Sequence, residues 1–245
     1  MHGVDAETVS NLQNLNQQFY ARFAQSFAES RRISDPALVC ILPYIPESAR
    51  ILDVGCGNGR LAQLLDKENP GTTYLGIDSS ADLIAIARTA SQTLSNVSAS
   101  FFAADVTRPG WPAALPVDSF DCCVSLAVLH HIPSIELRTT VVQAMASTVH
   151  EGGTVILSAW QFMNSPRLRR KIIPWSEAGV KPESLDHGDY LIDWKRDGQG
   201  LRYCHLIDEA EIAVYARASH LRLQHTFLSG GREGNLGLFA ILIRD

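Results

Sequence analysis

A chain of 245 residues, 46% hydrophobic and 19% charged, carries enough apolar material for one large α/β domain with a full core and argues against a second complete one. The formal net charge of −5 argues against a surface given over to nucleic acid, which needs a basic face, while leaving room for a local patch. No apolar run approaches the roughly 20 residues of a membrane span, and Met1-His2-Gly3-Val4-Asp5 lacks a basic stretch followed by an apolar core, so a cytoplasmic setting without a membrane partner is expected.

Leu12, Leu15, Phe19, Phe23 and Phe27 recur at three- and four-residue steps and predict one helix from about Ser10 to Ser30. Asp35-Pro36 breaks or restarts it, and Pro43 to Ser48 is a loop. Arg50-Ile51-Leu52-Asp53-Val54 then reads as a buried strand, ending in Gly55-Cys56-Gly57-Asn58-Gly59 ahead of a helix over Arg60 to Lys67. Glycines at alternate positions open backbone conformations closed to other residues and let a ligand approach the main chain. About 20 residues on, Tyr74 to Asp78 is a short apolar strand with a carboxylate at its end, where a doubly wound sheet holds a ribose by its hydroxyls. Arg60 stands where the third glycine of a dinucleotide signature would fall, so a nicotinamide cofactor fits less well, and a ligand-free tight turn is the plain alternative.

Ser79 and Ser80 precede Asp82, a helix start running to about Thr93. A strand over Ala99 to Ala104 delivers Asp105, which is either a cofactor contact or an ordinary cap, and Trp111 among Pro109, Pro112 and Pro116 reads as packing. Phe120 to Leu126 is a near-continuous apolar run, as a strand covered on both faces should be. His130 and His131 follow it with no third ligand at metal spacing, so they read as a loop pair lining a pocket and no metal is expected. A helix over Thr139 to Val149, a turn at Glu151-Gly152-Gly153 and a strand over Thr154 to Trp160 complete the alternation. Cys40, Cys56, Cys122, Cys123 and Cys204 show no C-x-x-C spacing and read as core thiols.

From Gln161 to Ile207 the alternation stops and basic and aromatic residues accumulate, a pattern that fits either a substrate-setting insert or a solvated lid. Glu209 to Ala218 is the last helix, and Leu221 to Leu228 and Leu236 to Ile243 are two strands joined by a glycine-rich connection, an antiparallel ending.

Asp53 ahead of Gly55-x-Gly57-x-Gly59 resembles the first motif of the class I S-adenosylmethionine-dependent methyltransferases. The resemblance implies a doubly wound, seven-stranded, mostly parallel α/β sheet in a single domain over 1–245, with an N-terminal helical cap over 10–45 and a substrate-recognition insert over 161–207. It implies S-adenosyl-L-methionine as cofactor, held by Asp53, Gly55, Gly57, Gly59, Asp78, Ser79, Asp105, Val106, Leu126 and His131, with Tyr20 and Arg31 reaching in from the N-terminal helix. Asp53 would place the ammonium end of the methionine, and Asp105-Val106 would read the adenine.

Three segments carry a narrower resemblance to the tRNA wobble-uridine methyltransferases that esterify a 5-carboxymethyl group. They are Tyr20-x-x-x-Ala24-x-x-Phe27-x-x-Ser30-Arg31, Gly188-Asp189-Tyr190-Leu191-Ile192-Asp193-Trp194-Lys195 and Arg202-Tyr203-x-His205-Leu206, with Cys204 where a second tyrosine is expected. This implies tRNA as acceptor, Arg202 or Lys195 gripping a carboxylate, and His205 or His130 as base if the acceptor is instead a hydroxyl. It also implies a small zinc-binding activator protein, docked on an edge strand at Val97 to Phe102 where Phe101 and Phe102 would be exposed. A methyltransferase for a small metabolite and a non-catalytic cofactor-binding subunit are the alternatives.

Overall fold

A computed structural model describes residues 4–29, 35–116, 119–196 and 198–245. Seven strands form one sheet in the order β3-β2-β1-β4-β5-β10-β9. The parallel strands are β1 (Arg50–Val54), β2 (Thr73–Asp78), β3 (Ser98–Ala103), β4 (Phe120–Leu126) and β5 (Val149–Trp160), and β9 (Leu221–Ser229) and β10 (Gly237–Arg244) close the sheet antiparallel. Alternation along β1 shows why the run is apolar throughout. Ile51 packs with Leu61, Leu64 and Leu65 of α3 (Arg60–Glu68) and Ile84 and Ala87 of α4 (Ala81–Ser91), while Leu52 joins Val141, Val142 and Met145 of α5 (Ile135–Ser147) and Ile212 and Tyr215 of α7 (Glu209–Ala218).

The N-terminal helix α1 (Ala6–Glu29) begins four residues before the expected start, because Asp5 caps it by accepting from Thr8 N at 2.9 Å. A short helix, α2 (Pro36–Val39), follows Asp35. Ser30, Arg31 and the side chain of Phe27 lie outside the described residues. Helix α5 likewise starts early, at Ile135, since Ser134 Oγ accepts from Leu137 N. Glu151-Gly152-Gly153 is not a turn between elements but part of β5, where Gly152 takes φ 79° and the pairing with β4 shifts register. The edge strand is β3, as expected, but only Phe102 is exposed, at 44%. Phe101 turns inward over Gly76, where an added Cβ would lie 2.7 Å from its ring.

The segment 161–207 forms a sheet of its own. After α6 (Pro166–Arg169), strands β6 (Ile172–Ile173), β7 (Asp189–Trp194) and β8 (Gly200–His205) pair antiparallel in that order. One face of β8 is held by buried charge. Arg138, 1% exposed, donates to Glu211 and to the Tyr215 hydroxyl at 2.8 Å each and to Ile132 O at 2.9 Å. His205 lies between Asp189 at 2.6 Å and Glu211 at 2.9 Å, and Tyr203 donates to Asp189 at 2.8 Å. Burial alone would pull the His205 pKa down, but the hydrogen bonds to the two carboxylates outweigh it and raise the pKa. For Glu211 burial pushes up, and His205 and Arg138 pull it down to about 2.

Removing one member of such a network leaves the others buried and uncompensated, so Arg138→Met should cost about 3–5 kcal/mol in urea denaturation. The His205 contribution is complete below the ordinary histidine value of about 6.5 and is lost as pH rises through the raised folded value. The Glu211 contribution is present above about 4.3 and is lost as pH falls toward about 2. Unfolding midpoints should therefore decline on the alkaline side in the native chain, and His205→Gln should flatten that decline.

Candidate active site

The turn after β1 has Gly55, Gly57 and Gly59 at φ 76°, 56° and 74°. Gly55 and Cys56 donate to Ile77 O at 2.7 and 3.0 Å, which fastens the turn to β2. The outer two glycines are required by packing, since a Cβ would stand 2.2 Å from Val128 at Gly55 and 3.1 Å from Phe101 at Gly59. Gly57 differs, because a Cβ there would meet no atom of the described residues within 4 Å. It faces open space at the sheet's carboxyl edge, where a doubly wound sheet takes its ligand.

Two carboxylates flank that space. Asp78 accepts from Gly57 N and Ser80 N, each at 2.9 Å, and burial holds its pKa above the usual carboxylate range. Ser79 beside it is exposed. Asp53 lies beneath the turn, 3% exposed and bonded by the Tyr74 hydroxyl, with burial pushing its pKa up to about 7 against the pull of that bond. A donor set of buried carboxyls and open backbone suits a cationic ligand with ribose hydroxyls, so the residues fit S-adenosylmethionine. Asp105 accepts from Thr107 N at 3.0 Å and Thr107 Oγ1 at 2.6 Å, beside a cleft of about 470 Å³ lined by Ile77, Phe102, Arg108, Trp111 and Leu115. Val106 packs on one core and Leu126 on the other.

Helix α1 roofs the site. Gln13 reaches Thr107 Oγ1 at 3.0 Å, Tyr20 packs with Leu83 of α4, and the Tyr20 hydroxyl meets His131 Nε2 at 2.9 Å. His130 is buried under Trp160 and accepts from Trp160 N at 3.3 Å, which turns it inward. Among the described residues no three potential ligands gather around a metal position.

The three residues expected to act on the acceptor are not brought together. Arg202 faces α1 and β5, its guanidinium carbon 5.0 Å from the Phe19 ring, 5.1 Å from Trp160 and 5.5 Å from Trp194. It is 6% exposed, and among the described residues its buried Nε has no hydrogen-bond partner. His205 is three residues on, so strand alternation puts it on the opposite face, where both ring nitrogens are committed to Asp189 and Glu211. It is a buried ion-network member rather than a base at the mouth. Lys195 also leaves the Arg202 side. Its side chain is 71% exposed, pairs with Asp193 at 2.7 Å and lines a groove with Ile173, Glu177 and Leu201. Arg31 lies outside the described residues. Asn16 is the residue the sequence reading missed. It is buried on α1 and bonds His131 O and both backbone groups of Tyr203. Its spacing four residues after Leu12, on the apolar stripe, was the available signal.

Asp78→Ala should weaken S-adenosylmethionine binding by about 1.5–3 kcal/mol per charged hydrogen bond lost, and Gly57→Val should block it. Because a cation favours the ionised form of a carboxyl held above its usual range, and Asp53 is held at about 7, affinity should rise between about pH 6 and about pH 8, with proton release at neutral pH. Calorimetry in buffers of differing ionisation enthalpy checks this.

Residues 51–153 match the family described as a methyltransferase domain. A tRNA (carboxymethyluridine(34)-5-O)-methyltransferase of Mus musculus is 30% identical over 74% of this chain and 26% of that protein. The Saccharomyces cerevisiae protein of the same description is 30% identical over 58% of this chain and 46% of that protein, so the chain spans about a quarter of the first and less than half of the second. A ubiquinone biosynthesis O-methyltransferase of Xanthomonas axonopodis is 33% identical over 73% of this chain and 65% of that protein. In fold, the chain matches a crystal structure of a Methanosarcina mazei S-adenosylmethionine-dependent methyltransferase with TM-score 0.65 at 22% identity, covering 84% of this chain and 96% of that one. The seven-stranded order agrees with that fold, and over residues 51–153 the chain belongs to the methyltransferase domain family, whose cofactor is S-adenosylmethionine.

Proposed function

We propose that the chain methylates a carboxylate, that of a 5-carboxymethyl group on a tRNA wobble uridine. The observation that carries the reading is Arg202, a buried guanidinium with an unpartnered Nε in a box of three rings. Each desolvated cation–π contact contributes up to about 2 kcal/mol, against a desolvation penalty of several kcal/mol for the ion and about 1–3 kcal/mol for an unmade buried hydrogen bond. The rings hold the guanidinium in place without satisfying its donors, and a carboxylate satisfies them with paired, charge-assisted bonds. The named activity of the mouse and yeast relatives supports the same acceptor.

S-adenosylmethionine supplies an electrophilic methyl on a sulfonium. The protein's own part is then alignment, which can supply about 7–11 kcal/mol of barrier reduction. Arg202 would hold each carboxylate oxygen by one lone pair and leave a second lone pair of one of them directed at the methyl, with α1 and Trp160 excluding water. An acceptor already ionised at neutral pH needs no general base, which agrees with a His205 whose two nitrogens are occupied. The exposed β3 ladder at Phe102 would serve as the edge to which a small activator protein adds a strand.

A second reading, O-methylation of a small metabolite, is favoured by the Xanthomonas axonopodis relative and by the net charge of −5. Nucleoside mass spectrometry of tRNA from cells with and without the gene decides between the two. Loss of the carboxymethyl ester is expected, and unchanged tRNA would overturn the first. Arg202→Lys should lower the rate by about tenfold or more through loss of the bidentate grip, with cofactor affinity unchanged. With S-adenosylmethionine saturating at every pH, activity should stay nearly flat from about pH 6 upward, whereas a steep rise through the imidazole range would indicate a hydroxyl acceptor and a general base. Ser100→Lys, on the same exposed face of β3 but outside the cleft beside Asp105, should lower modification in cells while leaving the cofactor affinity of the isolated chain intact.

A further inference from the structure

Strand β8 is an edge strand of its small sheet, and at Tyr203 its outward backbone groups are closed by a side chain. Asn16 Oδ1 accepts from Tyr203 N at 2.9 Å, and Asn16 Nδ2 donates to Tyr203 O at 3.1 Å and to His131 O at 3.0 Å. The amide thus ties α1, the loop after β4 and β8 at one buried point. The Tyr203 carbonyl is also the partner of His131 Nδ1 at 3.1 Å. A carbonyl only accepts, so Nδ1 carries a proton there. In the neutral ring Nε2 is then the acceptor, and the group it meets at 2.9 Å is the Tyr20 hydroxyl, which must donate. The hydroxyl has one proton, and this geometry spends it on His131. What the phenolic oxygen offers any other neighbour is a lone pair.

Tyr20 lies on the underside of α1 between Leu83, in the first turn after the Asp78–Ser80 strand end, and His131, just past the end of β4. Those two strand ends flank β1 and its glycine turn. We propose that Asn16, the Tyr203 carbonyl and His131 form a positioning relay that fixes the direction of the Tyr20 hydroxyl, making its oxygen a lone-pair acceptor that favours the sulfonium cofactor over its neutral, demethylated product. Asn16 and His131 are positioning residues here, and Tyr20 is the residue that touches the cofactor. The inference rests on the cofactor lying against the Gly57 turn. It is independent of the acceptor's identity.

An acceptor-only oxygen beside a sulfonium stabilises the charged methyl donor, whereas next to the thioether of S-adenosylhomocysteine it gains little. Product is thereby released in preference to substrate. The test is the affinity of native chain and Tyr20→Phe for S-adenosylmethionine and for S-adenosylhomocysteine by calorimetry. The expected result is a loss of roughly tenfold for S-adenosylmethionine, the size of one charge-assisted hydrogen bond, with the product's affinity changed less than about twofold. Equal losses for both ligands would reduce Tyr20 to packing and overturn the proposal, as would no loss for either. Failure of both ligands to bind the native chain would instead overturn the cofactor site itself. Nitrogen-15 spectra of the His131 ring supply a readout that simple packing would not move. The native chain should show the Nδ1–H tautomer, and Asn16→Leu should move the ring toward a mixture. A Nε2–H tautomer or a doubly protonated ring in the native chain would overturn the relay even where Asn16→Leu does not fold.

Discussion

Everything at the mouth of the site depends on how β8 is clamped. Its odd-numbered residues, Tyr203 and His205, enter a buried array of Arg138, Asp189, Glu211 and Tyr215, in which each charge has an opposite charge or a hydroxyl at hydrogen-bond distance. Such arrays gain little net stability over apolar packing, but they tolerate only one arrangement, because any slip strands a charge in low dielectric. A one-residue slip of β8 would also carry Arg202 into that array and His205 out toward α1, since the side-chain period is 2. The clamp on one face therefore specifies what the other face presents. That arrangement lets a guanidinium be held among three rings with no carboxylate paired to it among the described residues, because the strand that carries it is fixed from behind.

At the cofactor end the constraint is backbone rather than charge. Gly55 and Gly59 are glycine because Val128 and Phe101 occupy the space a Cβ would need, while Gly57 is glycine with nothing in front of it. The first two are fixed by the packing of the fold, and the third is not, which leaves its backbone open to a ligand. Asp53 and Asp78 beneath and beside the turn are held above the usual carboxylate range chiefly by burial, so the unliganded site carries less negative charge than two free acids would. A cationic cofactor bound there would restore the ionised forms, which would couple binding to proton release and limit the cost of keeping two acids close together in the empty protein.

The sheet was legible because its signals are local. An apolar run covered on both faces, an acid at a strand end and a glycine turn at fixed spacing each follow from a few consecutive residues, and β4 and α7 fell at the expected bounds. Starts of α1 and α5 were missed because their caps, Asp5 and Ser134, precede the apolar pattern that defines a helix by periodicity. The acceptor side was less legible because its meaning depends on pairing between distant segments. Residues 202 and 205 read as one constellation in sequence, and only the formation of a strand there separates them. Had Gly200–His205 been read as a strand, parity alone would have parted them. Asn16 could be found only as a polar residue on an apolar stripe, and its partners, 115 and 187 residues away, could not be found from spacing at all.

The acidity of the chain bears differently on an RNA acceptor once its charges are placed. Of 21 Lys and Arg and 26 Asp and Glu, residues 161–207 hold eight and six, leaving 13 and 20 for the rest. The eight are more unbalanced in position than in number. Arg167, Arg169, Arg170, Lys181, Lys195 and Arg196 are exposed, whereas Asp189 and Asp193 are buried or paired, so the outer surface of the small sheet is more basic than its sequence. Exposed positive charge on an otherwise acidic chain steers a polyanion toward the segment that carries it. Lys195 fits that role. It is too exposed, and on the wrong side of β7, to hold a carboxylate at Arg202, and at the rim of the groove with Gln199 and Leu201 most of its side chain is open to solvent, where a phosphate could pair with it.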